Sequence, residues 1–180
     1  MNSIFSDLTG GRDLFRIFSE LDVSRCCGSI MENKILKEIV DLSRDFICCI
    51  DTYPVILFPI EMLKPHENID PVRLKELEED ILGRGIIEKP ILVEYNTFII
   101  LDGHHRVQVL KSIGKKRIPV LLIDYRDPCI NVDSWRSDWI VSKELVIRAG
   151  LTGSLLPYKT SRHTLCRSVP QINISLNRIP

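Results

Sequence analysis

Phe98-Ile99-Ile100-Leu101 is a short apolar run that stops at Asp102-Gly103 and gives way to a helical pattern at Val107, Val109, Leu110 and Ile113. A chain with this order turns from a strand straight into a helix. The first backbone N–H groups of that helix have no intrahelical acceptors, and the helix dipole adds partial positive charge at the same place. Such an end favours a bound anion, typically phosphate. Gly103 lets the backbone approach a ligand closely. His104, His105 and Arg106 would present their N–H groups to the phosphates, and Arg106 adds a planar cation with fork geometry. Asp102, at the end of the strand, can hold a Mg²⁺ that bridges phosphates. The bland alternative is an ordinary Asp-Gly turn with Asp102 as a helix cap. Zinc fits less well, because neighbouring side chains on a helix point roughly 100° apart.

The four histidines all fall in three polar clusters: Lys64-Pro65-His66-Glu67, Asp102-Gly103-His104-His105-Arg106 and Lys159-Thr160-Ser161-Arg162-His163. Histidine beside acids and cations marks a candidate site. Glu67, in a loop held by Pro65, suits a general base; a solvated charge near the next helix is the alternative. The third cluster offers cations, hydroxyls and an imidazole for an anionic ligand, with Arg162 the first choice of anion partner. An exposed polar loop would have the same composition. Trp135 suits either the core or a pocket wall.

A length of 180 residues suits one domain with a small appendage. Lys+Arg and Asp+Glu stand at 24 each, which argues against a protein that relies on a basic face to hold duplex DNA. No apolar run reaches bilayer-spanning length, and the first residues lack the pattern of a secretory signal, so a cytoplasmic protein with no membrane partner is expected. The six cysteines, among them Cys129 and Cys166, are expected to be free thiols in a reducing compartment.

Residues 1–50 read as an N-terminal helical extension of unknown role, with helices from Asp13 to Leu21 and from Glu32 to Phe46. Met31 is a candidate alternative start. Residues 51–180 read as a compact α/β unit. The expected elements are a strand at Val55–Phe58 and a helix capped by Asp70 with Pro71 at its first position. A hairpin follows around Tyr95-Asn96-Thr97, then the helix after Gly103, a strand at Ile118–Ile123 and a helix from Val141 to Ala149.

The order Lys-Pro-His-Glu, Asp-Gly-His-His-Arg, a Trp, then Lys-Thr-Ser-Arg-His resembles the free L-serine kinases of the ParB/sulfiredoxin-like superfamily, over about Phe58 to Ile179. The resemblance implies an α/β (α+β) fold with a small mixed sheet and packed helices. It implies phosphoryl transfer from ADP or ATP, with Mg²⁺, to the hydroxyl of L-serine, giving O-phospho-L-serine for cysteine and serine metabolism. By the same motifs, Glu67 is the catalytic base and Asp102 an essential acid near metal and phosphates. Gly103, His104, His105 and Arg106 hold the phosphates. Trp135, Lys159, Thr160, Ser161, Arg162 and His163 form the serine pocket. This chain departs from the pattern in having Ser161 where the family usually has a second threonine. It also lacks the long insert of the archaeal enzymes, with only about two dozen residues between Trp135 and Lys159.

Three other readings compete. A ParB-like nucleotide- or DNA-binding regulator without kinase activity would want a helix-turn-helix module and a basic surface. Sulfiredoxin-like repair would want a reactive cysteine where His104 and His105 stand. A non-catalytic nucleotide-binding regulator would not need Glu67 and Asp102 intact. Nucleic acid is not an expected partner, and the sequence leaves the oligomeric state open.

Overall fold

The computed structural model describes residues 34–39, 46–50, 53–166, 168–169 and 171–180. The helix expected over Asp13 to Leu21 lies outside these residues. A helix, α1, covers Lys34–Ile39. Strands β1 (Phe46–Ile50) and β2 (Tyr53–Pro59) follow, then a 3-10 turn at Ile60–Met62 and helix α2 (Pro71–Arg84). Next come β3 (Ile86–Ile87), β4 (Ile91–Glu94), β5 (Ile100–Asp102) and α3 (His104–Ser112). The remainder is β6 (Arg117–Ile123), β7 (Ile130–Ser134), α4 (Lys143–Thr152), β8 (Ser161–Leu165) and β9 (Ile174–Ser175).

The main sheet has the order β1-β2-β6-β4-β5. Only the β4–β6 pair is parallel; the others are antiparallel, so the sheet is mixed as expected. Strands β2, β4 and β6 are largely apolar because both of their faces are covered. In β6, Ile118, Val120 and Leu122 face one core, together with Phe58, Ile81, Val109 and Leu110. Leu121 and Ile123 face a second core, with Ile99, Tyr125, Ile130 and Val146. A period of two sorts one strand between two layers. Among the described residues, no helix is long and apolar enough to cross a membrane.

Two differences from the sequence reading concern the edges of the domain. Phe46, read as the end of a helix, begins β1, which pairs with β2. The main sheet thus starts inside the segment read as a helical extension. A five-residue apolar run carries no period that distinguishes helix from strand. Cys129 and Cys166, expected as free thiols, form a disulfide with Cα atoms 5.0 Å apart. It joins the outer ends of a ribbon made by β7 and β8, which lie antiparallel. Pairing in the ribbon brings together two cysteines 37 positions apart, a proximity that spacing alone does not reveal.

The elements that place the site have local causes. Asp70 accepts the N–H groups of Val72 and Arg73 and so starts α2, with Pro71 at its first position. Gly85, in the left-handed region, ends it. The hairpin between β4 and β5 is held by Glu94. Its buried carboxylate accepts from the Asn96 and Thr97 backbone and from both of their side chains.

Candidate functional site

Strand β5 ends at Asp102, and Gly103 turns the chain into α3 with φ at 101°. A Cβ at this position would be strained at that φ and would lie 2.6 Å from Cδ1 of Ile91 and 2.9 Å from a guanidinium nitrogen of Arg106, displacing those side-chain ends, so glycine is favoured. The first turn of α3 then faces the segment Lys64–Asp70, which carries Glu67. That segment is fixed from both sides. Lys64 exchanges backbone hydrogen bonds with Phe98 and Ile100. His66 and Asn68 bond the backbone of Leu156, past the end of α4. The proline-held loop is therefore a strap between the hairpin and the C-terminal segment.

Both imidazoles of α3 serve this strap. Nε2 of His104 accepts the His66 N–H at 3.3 Å, and Nε2 of His105 accepts the Asp70 N–H at 3.0 Å. An accepting nitrogen is unprotonated, so both rings are neutral. Burial, with the neighbouring charge of His66 next, pushes His104 down to about 3. Burial also lowers His105. Arg106 donates to the carbonyls of Lys89 and Pro90 at 2.8 Å and to Asp102 at 2.6 Å. The Asp102 carboxylate remains mostly exposed.

Glu67 is buried, 9% exposed. Its Oε1 accepts the Ser161 hydroxyl at 2.5 Å and also the Ser161 backbone N–H. Burial works to raise its carboxyl, but hydrogen bonds from His66 and Ser161 outweigh that and hold it below the usual carboxylate range. Behind it, His66 is fully buried between the Ile100 carbonyl and the Ser161 hydroxyl.

A cavity of about 320 Å³ separates the strap from α3. Glu67 lines one side, and Asp102 with the turn Gly103 to Arg106 lines the other. Trp135, Lys159 and Ser161 from the candidate serine pocket also line it. Thr160, Arg162 and His163 do not appear in the lining. Thr160 is buried and donates its hydroxyl to the Pro157 carbonyl at 2.6 Å. Along β8, Ser161 and His163 point inward and Arg162 outward. Arg162 sits 4.6 Å from the Trp135 ring centroid, a cation–π contact. His163 lies behind the cavity, bonded through Nε2 to the Tyr125 hydroxyl.

The sequence reading missed Asn68, Arg73 and Tyr158, which also line the cavity. Arg73 lies on α2, in a helix assigned only to packing, and Tyr158 directly precedes a named cluster. Adjacency to that cluster was the available signal for Tyr158; Arg73 had none. Among the described residues, no three acidic, histidine or cysteine side chains cluster as a metal cage. Asp102 alone suits a Mg²⁺ carried in by phosphates, since that ion typically takes one or two carboxylates and keeps its remaining positions for water and phosphate oxygens.

Residues 53–130 match the ParB N-terminal domain family. An ATP-dependent L-serine kinase of Staphylothermus marinus is 35% identical over 103 residues, covering 55% of this chain and 40% of that protein. The ADP-dependent L-serine kinase SerK of Thermococcus kodakarensis is 32% identical over 84 residues, covering 44% of this chain and 35% of its own length. The chain thus spans less than half the length of these curated relatives. A solved structure of a free serine kinase in complex with AMP superposes with a TM-score of 0.63 at 18% identity, covering 76% of this chain and 94% of the other. The fold is the one found in that kinase, as the order of the four motifs implied. The similarity to L-serine kinases that the motifs suggested is found in sequence comparison over these 84 to 103 residues as well.

Proposed function

We propose that the chain is a small-molecule kinase that transfers a phosphoryl group from ADP or ATP to the hydroxyl of free L-serine. The carrying observation is one cavity lined on one side by a buried carboxylate and on the other by the amino end of a helix opened by glycine. Phosphoryl transfer asks mainly for alignment and charge neutralisation. In this reading the N–H groups at the start of α3 receive the donor phosphates, with Arg106 held beside them by Asp102. Mg²⁺ held at Asp102 would supply charge neutralisation on the phosphate oxygens. Glu67 takes the proton of the serine hydroxyl as the O–P bond forms, a contribution of about a hundred- to ten-thousandfold.

Serine also needs a cation for its carboxylate. Lys159 and Arg73 line the cavity, whereas Arg162 points outward from β8 and lies outside the lining. We assign the carboxylate to Lys159 and a positioning role to Arg162, through Trp135. At about 320 Å³ the cavity is at the low end for small-molecule sites and suits a phosphate tail with a small acceptor, leaving the adenosine at its mouth. Curated relatives named for ATP and for ADP both support a nucleotide donor without choosing between them. A cytoplasmic location fits soluble small-molecule chemistry, although the Cys129–Cys166 disulfide removes the support that free thiols would have given it.

The test incubates the purified chain with L-serine, Mg²⁺ and either ADP or ATP, and follows O-phosphoserine by ³¹P NMR, with threonine, homoserine and glycerate alongside. Phosphorylation of serine above the other acceptors is expected. Nucleotide binding without any phosphorylated acceptor would instead favour a regulator that binds nucleotide and has no kinase activity.

A further inference from the structure

Ser161 has one hydroxyl proton and two neighbours at hydrogen-bond distance. Oε1 of Glu67 lies 2.5 Å from its Oγ, and Nε2 of His66 lies 2.8 Å from it. The other ring nitrogen of His66, Nδ1, is 2.5 Å from the Ile100 carbonyl oxygen. A carbonyl only accepts, so Nδ1 carries a proton. A neutral His66 would then present a bare lone pair at Nε2. Ser161 could donate to Nε2 or to Glu67, and the remaining contact would set two lone pairs against each other. Filling both contacts takes one proton more than the hydroxyl supplies.

That proton resides on His66 or on Glu67, and the three side chains together are neutral in either case. Their partners decide between the two. Oε1 of Glu67 receives two donors, the Ser161 hydroxyl and the Ser161 N–H, which suits a carboxylate. Both nitrogens of His66 face acceptors, which suits an imidazolium. The two groups stand 3.6 Å apart, and each is buried, so neither charge is affordable without the other.

We propose that His66 is a positioning residue held as an imidazolium, and that Ser161 couples it to Glu67 so that the carboxylate stays ionised inside a buried site. For its kinetic consequence this rests on Glu67 acting as the base of the proposed kinase. The other titratable rings facing His66 are His104 on α3, with centroids 4.6 Å apart, and His163 on β8, at 5.8 Å. Burial first, then the charge of His66, pushes both down to about 3, so they stay neutral. Behind His163 stand Tyr125, bonded to it, and Lys143, whose ammonium lies over the Tyr125 ring. His66 is thus the one charged imidazole of its cluster. In the transfer, the substrate O–H bond breaks and its proton goes to Glu67. The freed electron pair forms the O–P bond, and the bond to the departing nucleotide breaks with its pair on that nucleotide. The proton on His66 stays in place throughout.

The test uses the whole chain, ligand-free, labelled with ¹⁵N-histidine and ¹³C-carboxyl glutamate. At neutral pH, long-range ¹H–¹⁵N spectra should show both nitrogens of His66 protonated; an unprotonated Nε2 overturns the proposal. In S161A and H66Q the Glu67 carboxyl should titrate higher than in the wild type by about one unit or more, the usual effect of losing a near opposite charge. In S161T, which keeps the hydroxyl, it should titrate as in the wild type. An unmoved Glu67 in S161A overturns the coupling, even if H66Q fails to fold. In active enzyme the acid limb of kcat/KM should shift in parallel. These spectra need no substrate. A doubly protonated His66 in a chain that phosphorylates nothing would defeat the kinase reading and leave the coupling intact.

Discussion

His104 and His105 act on their neighbours as acceptors. Each neutral ring takes a backbone N–H from the strap that carries Glu67, across separations of 38 and 35 residues. The sequence made the pair conspicuous, and the phosphate reading used only their own backbone N–H groups. Which ring nitrogen accepts depends on distant partners, and spacing does not reveal that. Gly103 was singled out for close approach to a ligand, whereas the structure shows a left-handed φ with Ile91 and Arg106 packed against it. Gly103→Ala should lower stability by about 1–3 kcal/mol, since it combines a left-handed φ with a Cβ pressed against Ile91. Urea unfolding measures this, and a midpoint equal to the wild type would show that the turn tolerates a side chain.

At the scale of elements, helix α2 and the β4–β5 hairpin stand where cap and turn residues placed them. The β7–β8 ribbon was not visible. Its second strand, Ser-Arg-His-Thr-Leu, alternates inward and outward side chains, but its polar composition reads as a loop. Register decides the fates of the third cluster: Asp133 pairs with Arg162 and Ser134 with Ser161. Ser161 therefore turns toward Glu67 while Arg162 turns to Trp135. The disulfide closes the far end of this ribbon. Cys166→Ser should cost up to about 3–4 kcal/mol, the loop-closure value for a loop of this length, less any strain relieved. The loss should show as a lower denaturation midpoint, with the spectra of the strap unchanged. A variant as stable as the wild type would mean that strand pairing alone holds the ribbon.

For the molecule as a whole, the mixed sheet was implied by the family resemblance, while the apolar runs at Val55–Phe58 and Ile118–Ile123 marked strands without showing how they pair. The boundary at residue 50 was not legible, because a short apolar run has no period to read. Burying neutral histidines has a consequence for stability. His104 and His163 are pushed down to about 3 in the folded chain, against about 6.5 when unfolded. Between those values the unfolded chain binds more protons, so stability rises with pH and is lost on acidification. Each ring adds up to about 1.4 kcal/mol per pH unit within the window. Glu67, held low by its partners, adds to the loss only at lower pH, as it protonates. Below about pH 6, where a charged His66 binds no more protons folded than unfolded, denaturation midpoints should therefore fall steadily to pH 5. A flat profile would mean that both rings are already charged in the fold.

The carboxylate facing the amino end of α3 carries the whole account, and Glu67→Gln probes it most directly. Serine phosphorylation and nucleotide affinity should be measured side by side in the wild type and in this variant. Turnover is expected to fall by about a hundred- to ten-thousandfold with nucleotide affinity preserved. Near-wild-type turnover in the variant would contradict the assignment of Glu67 as the group that takes the hydroxyl proton.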